Sequence, residues 1–158
     1  MDYLEIRTKH LVLKPLGTKY LNSTILYAMD YENTKYMCHL PDETVEEVEE
    51  FLAHVENEWK KDQPEFLEFA IIYNGIHIGA VSVYFENASG ELGWIINKNY
   101  WKCGFAYEAA KALINYLKTE TKITHFLAHC DTENIASYKV MEKLGMSKSG
   151  EWGGRRNK

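Results

Sequence analysis

The alternation of apolar and polar positions predicts a chain of short strands. Five segments have this character: residues 11–16, 69–73, 76–84, 91–96 and 123–130. Pro15 ends the first, because proline breaks regular strand pairing. The dipeptide Asn74-Gly75 separates the second and third, and this pair accepts the positive φ angles of a type I′ turn. We therefore predict a β-hairpin around Asn74-Gly75.

Helical spacing of apolar residues predicts four helices between these strands. The first follows Thr18 as a cap, the second begins with a Thr44/Glu47 capping box, the third covers residues 105–118, and the last follows Asp131 or Thr132 and ends at Gly145. The order is β-α-α-β-β-β-α-β-α, with a short strand near residues 146–148. This order predicts an α/β (α+β) domain, a mixed sheet with helices on its faces.

Composition narrows the class of protein. The 158 residues are 46% hydrophobic, which favours a single domain over residues 1–158. A net charge of −5 argues against nucleic acid as a partner, and no apolar run is long enough for a membrane span. Without a visible secretory signal and with three scattered cysteines, we expect a cytoplasmic protein with reduced thiols.

The first segment with chemical character covers residues 100–109. A strand enters a loop, Gly104 occupies the turn, and a helix begins at once. Free N–H groups and the dipole at a helix start favour an anion such as a pyrophosphate. The segment lacks the glycines and the lysine of a Walker loop or a dinucleotide fingerprint. A single glycine at such a turn is also ordinary turn chemistry.

The second segment covers residues 134–146. Asn134 and Ser137 are three residues apart, so they share one face at the start of a helix. That face presents an amide and a hydroxyl to a ligand. The alternative interpretation is a capping Asn134 beside a solvated Ser137.

Together the two segments resemble the GNAT N-acetyltransferase superfamily. The run Trp101-x-x-Gly104-Phe105-Ala106-x-Glu108-Ala109 is similar to its acyl-CoA pyrophosphate loop. With Asn134-x-x-Ser137 and the run Glu-Lys-Leu-Gly-Met at residues 142–146, it resembles the branch of ribosomal-protein alanine N-acetyltransferases. The opening residues 6–16 also resemble the start of that branch. The resemblance covers roughly residues 5–150 and implies a mostly antiparallel, twisted sheet with helices on both faces.

Three features depart from the family pattern. Trp101 stands where Gln or Arg is usual, and Lys102 stands where this branch usually has glycine. Family members also usually finish with a further strand hairpin, for which little sequence follows Gly150. We therefore expect the edge near residues 146–152 to be paired or covered by a second copy in a homodimer.

The resemblance implies acetyl-CoA as the co-substrate and no metal. The residues it assigns to binding acetyl-CoA are Trp94, Ile95, Ile96, Trp101, Lys102, Cys103, Gly104, Phe105, Ala106, Asn134, Ser137 and Lys143. Backbone N–H groups near residues 94–96 are expected to face the acyl carbonyl and the pantetheine arm. Lys102 is expected to add a phosphate contact.

The resemblance also implies the catalytic groups for attack of an amine on a thioester. Glu91, at the start of the strand that enters the loop, is the candidate general base; its alternative role is an exposed carboxylate at a strand end. Family members often protonate the departing thiolate with a tyrosine, but Met141 occupies that place. Ser137 or Tyr138 is the expected replacement.

The function predicted is transfer of an acetyl group from acetyl-CoA to a primary amine, either a protein N-terminus or a small molecule. One alternative is an acyl-CoA-binding or regulatory module with weak or no catalysis, and another is a scaffold for a protein partner. The acceptor groove is expected around residues 31–41, where nothing identifies the acceptor. His125 and His129 lie on a predicted strand, a spacing that does not favour a metal site, and Cys103 has no histidine placed beside it for nucleophilic chemistry.

Overall fold

The computed structural model describes residues 4–34, 44–129 and 134–147. The strands are β1 (Ile6–Arg7), β2 (Leu11–Pro15), β3 (Phe66–Tyr73), β4 (Ile76–Glu86), β5 (Ser89–Ile96) and β6 (His125–Ala128). The helices are α1 (Leu21–Ala28), α2 (Tyr31–Thr34), α3 (Val45–Trp59), α4 (Phe105–Glu120) and α5 (Ile135–Lys143). Short 3-10 turns cover Thr18–Tyr20 and Lys98–Tyr100.

The described strands form one sheet in the order β1-β2-β3-β4-β5-β6. Neighbouring strands are antiparallel from β1 to β5, and only β5 and β6 run parallel. The crossover helix α4 makes the parallel pair feasible, since parallel strands need a long connection. The predicted α/β (α+β) class with a mixed, mostly antiparallel sheet is confirmed.

Each face of the sheet carries its own apolar core. On one face, α4 buries Ala109, Leu113 and Leu117 against inward residues of β2 to β5. On the other face, α3 buries Val48, Leu52 and Val55 over β3 and β4, with α1 beside it. Helices therefore lie on both faces, as predicted. Within the described ranges, no helix has the length and apolar character needed to cross a membrane.

Two local predictions are confirmed by the backbone. Asn74 and Gly75 have φ angles of 50° and 79°, the left-handed values that the tight hairpin between β3 and β4 requires. Thr44 caps α3 by accepting from the N–H of Glu47, and the Glu47 side chain accepts from the N–H of Thr44 in return. This reciprocal capping box satisfies two N–H groups that the helix itself leaves unpaired.

The capping prediction at Thr18 is wrong. Thr18 lies within the 3-10 turn, and its hydroxyl donates to Oε2 of Glu56 on α3 at 2.8 Å. The Thr18 hydroxyl therefore bonds with a carboxylate that is distant in sequence and does not cap the helix that follows it. The short elements β1 and α2 were also not predicted, because two and four residues carry too little periodicity to be recognised.

The start of the last helix also differs from the prediction. Asn134 caps α5, because its side-chain oxygen accepts from the N–H of Ser137 at 3.1 Å. The caps proposed from sequence, Asp131 and Thr132, lie outside the described residues. Met146 and Ser147 are not in a strand, and the rest of the proposed edge, residues 148–152, also lies outside the described ranges.

Glu108 joins the first turn of α4 to the turn between β1 and β2. Its carboxylate accepts from the backbone N–H of His10 at 2.7 Å and from the Thr8 hydroxyl, and it pairs with Nδ1 of His10 at 2.9 Å. Burial works to raise the pKa of Glu108, but these hydrogen bonds outweigh it and hold the pKa below its usual value. The glutamate of the loop motif therefore has a structural role.

Replacing Glu108 by Gln is expected to lower the free energy of unfolding by about 1–3 kcal/mol at pH 7, because charged hydrogen bonds are lost. A lowered folded-state pKa stabilises the fold above the unfolded-state pKa, and this stabilisation disappears as the pH falls through the folded-state value. Urea denaturation should therefore show a smaller difference at pH 3.5. The control Glu120→Gln, an exposed change on the same helix, should cost less than about 0.5 kcal/mol. Equal effects of the two substitutions would contradict this role.

Candidate active site

A gap opens in the sheet where β5 and β6 separate. Their parallel pairing runs from Ser89 opposite His125 to Leu92 opposite Ala128. β5 then continues through Gly93–Ile96 still paired with β4, whereas β6 ends at Ala128. The second half of β5 therefore has one paired side and one side that no described strand occupies.

The backbone groups that face this gap follow from strand alternation. The N–H of Asn97 donates to the carbonyl of Ile78 on β4 at 2.7 Å, so the N–H groups of Trp94 and Ile96 point away from β4. Ile95 directs its N–H towards β4. Of the three residues expected to present N–H groups to an acyl-CoA, Trp94 and Ile96 have the required direction and Ile95 does not.

Trp94 also connects the two sides of the gap. Its indole Nε1 donates to Oγ of Ser137 on α5 at 3.2 Å. Within the described residues, the Ser137 hydroxyl has no acceptor for its own proton. Ser137 is therefore held at the gap with a hydrogen-bond donor available, while Tyr138 beside it is 41% exposed. Asn134 is engaged as the helix cap, the alternative that the sequence left open.

The loop before α4 contains two residues in the left-handed backbone conformation. Lys102 and Gly104 have φ angles of 67° and 80°, both in the left-handed region. Lysine rarely adopts this conformation, so position 102 is one where glycine is easily accommodated. No described atom lies within 4 Å of the space where a Gly104 side chain would begin. The free N–H groups at the start of α4 are therefore open to a ligand.

The neighbouring loop residues divide between exposed and buried positions. Cys103 is a free, exposed thiol, whereas Phe105 turns its ring into the core against Tyr73, 4.7 Å between centroids. Ala106 is half-buried beside it. Phe105 and Ala106 can therefore contact a ligand only through the backbone. Cys38 and Cys130 lie outside the described residues.

Trp101 fixes the loop to the end of β5. Its Nε1 donates to the carbonyl of Ile96 at 2.7 Å, although the ring remains 43% exposed. Trp101, which stands where the family usually has Gln or Arg, thus forms a hydrogen bond with the protein's own backbone. Lys143, also expected at the cofactor, places its Nζ 4.6 Å from the centroid of the Tyr107 ring on α4. This cation–π contact keeps Lys143 beside the first turn of α4.

Asn33 on α2 is a site residue that the sequence analysis missed. Its Nδ2 donates to the carbonyl of Ile96 at 2.6 Å, and its Oδ1 accepts from the N–H of Lys98 at 3.1 Å. Lys98 in turn pairs with Asp30 and Glu32. One buried amide therefore joins α2 to the strand end that leads into the loop. Asn33 is more than 60 residues from both partners in sequence, so no local pattern predicts these contacts.

Glu91 lies near the other end of β5, just before the gap. Its Oε2 accepts a hydrogen bond from Nδ1 of His129 at 3.0 Å, and both side chains are nearly half exposed. His129 follows β6 directly. The sequence points to His129 only as a possible metal ligand, because its pairing with Glu91 spans 38 residues and leaves no local pattern. Among the described residues, no three of His, Cys, Asp and Glu come together as a metal site.

Side chains around Glu91 form a shallow cleft on the α1/α3 face of the sheet. The cleft is lined by Tyr84, Phe85, Glu86, Ser89, Glu91 and Leu127. Burial raises the pKa of Tyr84 to about 12, and the negative charges of Glu68 and Glu91 add to this effect. A cationic group entering the cleft meets two carboxylates and an un-ionised phenol.

Known proteins resemble this chain in sequence and in fold. The family of acetyltransferase (GNAT) domains matches residues 10–147. The uncharacterized N-acetyltransferase YnaD of Bacillus subtilis is 33% identical over 149 residues, covering 93% of this chain and 85% of YnaD. A GNAT-family acetyltransferase structure from Bacillus anthracis has a TM-score of 0.78 and 30% identity, covering 93% of this chain and 86% of that one.

A second solved structure extends the fold comparison to a complex with coenzyme A. The ribosomal L7/L12 α-N-protein acetyltransferase RimL, solved with coenzyme A, has a TM-score of 0.77 at 14% identity, covering 97% of this chain and 93% of that one. At this identity the likeness concerns the fold. The family match spans most of the chain and includes β5, the loop at residues 101–104 and α5. The chain therefore belongs to the GNAT acetyltransferase family and is an acetyltransferase.

Proposed function

We propose that this acetyltransferase moves the acetyl group of acetyl-CoA to a primary amine by direct attack on the thioester. The observation that carries the proposal is the gap beside β5. The N–H of Trp94 points into this gap, on the side of β5 where pairing with β6 has ended. Ser137 lies beside Trp94, and Glu91 precedes the gap on β5. Glu91 and Trp94 lie three residues apart on β5, and Ser137 on α5 accepts a hydrogen bond from the Trp94 side chain. This grouping supports the roles proposed below for a carboxylate, a polarising N–H group and a hydroxyl donor.

The loop at residues 101–106 is proposed to bind the pyrophosphate of acetyl-CoA. The left-handed Lys102 and Gly104 expose the first N–H groups of α4, and the helix dipole favours the negative charge. Lys102 and Lys143 are proposed to add positive charge near the phosphates. Trp101 and Asn134 are proposed to hold the loop and the start of α5 in place, while the exposed Cys103 borders the loop.

Glu91 is proposed as the general base. The amine must lose a proton to attack, and a protein α-amine has a pKa of about 7.7–8.0, so a carboxylate acting directly or through water suffices. The hydrogen bond from His129 restricts the orientation of the Glu91 carboxylate. As nitrogen bonds to the carbonyl carbon, the N–H of Trp94 is proposed to stabilise the developing charge on oxygen.

The sulfur departs with the electron pair of the broken C–S bond. The Ser137 hydroxyl is proposed to donate a hydrogen bond to this thiolate, since its proton is not used within the described chain. Tyr138 is the alternative donor, one residue further along α5. The acceptor is either a protein N-terminus or a small amine, and most of the expected groove at residues 31–41 lies outside the described ranges.

A thiol-release assay with acetyl-CoA tests the proposed reaction. The full-length protein is incubated with a panel of peptides that carry free N-termini and a panel of small primary amines. Acetyl-CoA-dependent thiol release with formation of the acetylated amine is the expected result. Binding of acetyl-CoA without turnover of any acceptor would instead support the acyl-CoA-binding module. Failure to bind any CoA ester would contradict both.

We also propose that the protein is a cytoplasmic homodimer. The free, exposed Cys103 suits a reducing compartment, and β6 is one of the two edge strands of the described sheet, where it pairs with β5 alone. An exposed strand edge favours pairing with a second copy, with C2 symmetry as the default. Removing residues 149–158 is expected to shift the dimer towards monomer in sedimentation experiments at micromolar concentration. A clean monomer for the full-length chain would overturn the proposal.

A further inference from the structure

Glu68 is a carboxylate that the proposed reaction does not use. It lies in the middle of β3, between Phe66 and Ala70, whose side chains are buried in the core under α1 and α3. Alternation along the strand puts Glu68 on that same face, and the residue is only partly exposed. Within the described residues, no hydrogen bond or ion pair reaches its side chain. A carboxylate in such a position normally has a partner.

The backbone around Glu68 is firmly held. The Glu68 carbonyl accepts from the N–H of Leu16 at 3.0 Å and from Nε1 of Trp59 at 3.1 Å. These two bonds tie β3 to the residue after β2 and to the end of α3. The starting point of the Glu68 side chain on the sheet is therefore well defined.

Small residues separate Glu68 from the gap. The strand register places Glu68 opposite Ser82 on β4, and Ser82 opposite Gly93 on β5. A Cβ on Gly93 would lie 3.1 Å from Oγ of Ser82 and would fill this space. Glu68, Ser82 and Gly93 thus form one row across three neighbouring strands. Because Ser82 has a small side chain and Gly93 has none, the surface of this row is low between β3 and β5, a distance of about 10 Å at the usual spacing of strands.

Taller side chains border this floor on one side. The next row of the sheet contains Phe66, Tyr84 and Glu91, and the Tyr84 ring stacks on Phe66 with 4.8 Å between centroids. The charges of both Glu68 and Glu91 act on Tyr84, so the phenol lies near both carboxylates. The neighbouring row of Glu68, Ser82 and Gly93 therefore begins at Glu68 on β3 and ends on β5, beside the gap.

We propose that Glu68 binds a second positively charged group of the acceptor, separate from the amine that is acetylated. The proposal rests on the proposed function, in which the amine attacks the acyl group beside the N–H of Trp94 on β5. Glu68 is two strands away from that point, too far to contact the same nitrogen. The strands β3 and β5 are about 10 Å apart, and the Glu68 side chain reaches over part of this distance, which leaves roughly 6–8 Å between its carboxylate and the reacting nitrogen. A chain of four or five carbons between two amines spans that separation. The preferred acceptors are therefore dications.

The test compares 1,4-diaminobutane with 1-aminobutane, which lacks the second charge. Both assays are run at pH 9, above the pKa of about 8 that burial gives Glu68, so that its carboxylate is ionised. With saturating acetyl-CoA, the wild-type protein should have a KM for the diamine at least about tenfold lower than for the monoamine, because a charged hydrogen bond is worth that factor. Glu68→Gln should raise the KM for the diamine to the monoamine value and leave kcat almost unchanged. Glu49→Gln, which removes an equal charge from the exposed side of α3, should change neither constant.

Calorimetric titration of the two amines into the CoA-bound protein separates this proposal from the proposed reaction. If neither amine is acetylated but the diamine binds and Glu68→Gln abolishes its binding, the Glu68 site stands and the reaction fails. If both amines are acetylated with equal KM, or if Glu68→Gln leaves the diamine unaffected in both assays, the Glu68 site is overturned. An absence of diamine binding and turnover would overturn it as well.

Thermal unfolding tests whether the variant is folded and whether the role of Glu68 is purely structural. Burial raises the pKa of Glu68 to about 8, so ionisation of this residue destabilises the fold progressively as the pH rises from about 4.5 towards 8. Glu68→Gln should therefore raise the melting temperature by a few degrees at pH 9 relative to wild type, and by less at pH 5. A variant that is more stable but loses its preference for the diamine is what a ligand-binding carboxylate predicts. A lower melting temperature at pH 9 would contradict it.

Discussion

Replacing Glu91 by Gln is expected to lower kcat/KM for amine acetylation by about 10²-fold or more, the usual contribution of a general base. The substitution keeps the size of the side chain and its place at the start of β5, but it removes the group that accepts the proton. Binding of acetyl-CoA should remain close to wild type, because the pyrophosphate loop lies at the other end of the strand. The measurement is a steady-state thiol-release assay with the best acceptor of the panel.

The pH dependence of this variant identifies the role of Glu91. The loss of activity should shrink as the pH rises above the pKa of the amine, because the acceptor then loses its proton to solvent. Glu120→Gln, which removes an equal charge from the exposed last turn of α4, serves as the charge-matched control and should retain most activity. A variant whose pH profile and rate match those of wild type would refute the assignment of Glu91 as the base.

Replacing Gly104 by Glu is expected to weaken acetyl-CoA binding severely, beyond about 10²-fold in Kd, because it places a negative charge at a site built for phosphate. The φ angle of 80° adds backbone strain for any residue other than glycine. Isothermal titration of acetyl-CoA measures the change directly.

The hairpin glycine provides a matched control for this strain. Gly75 has a φ angle of 79° and, like Gly104, has no described atom within 4 Å of its missing side chain. Gly75→Glu therefore imposes a similar backbone cost and adds the same charge outside the loop, at the hairpin between β3 and β4. It should reduce thermal stability as much as Gly104→Glu but leave the affinity for acetyl-CoA unchanged. If both variants bind acetyl-CoA with wild-type affinity, the pyrophosphate assignment at Gly104 is wrong.

The parts of the fold that local chemistry determines were predictable from sequence. The capping box at Thr44 and the turn at Asn74-Gly75 each depend on residues within a few positions of one another, and both are confirmed. Thr18 shows the limit of this reasoning, because its hydroxyl bonds with Glu56 on another helix. A distant partner competes with a local cap, and a single sequence carries no sign of that competition.

The candidate site was predictable in its family motifs and less so in its connections. The loop around Gly104 and the segment containing Ser137 stand out because turn and helix-start residues form recognisable local patterns. The contacts of Asn33 with Ile96 and of His129 with Glu91 join residues that are 63 and 38 positions apart. Such pairs depend on strand order and on where β6 ends, and neither property is encoded in a short segment.

The separation of β5 from β6 makes neighbouring amides on one strand unequal in their access to water. The N–H groups of Gly93 and Ile95 point towards β4, whereas that of Trp94 between them points into the gap. In deuterated solvent without acetyl-CoA, the Trp94 amide therefore exchanges its proton much sooner than the amides on either side. A ligand that accepts a hydrogen bond from Trp94 slows that single exchange, so one residue serves as an internal reporter of occupancy of the gap.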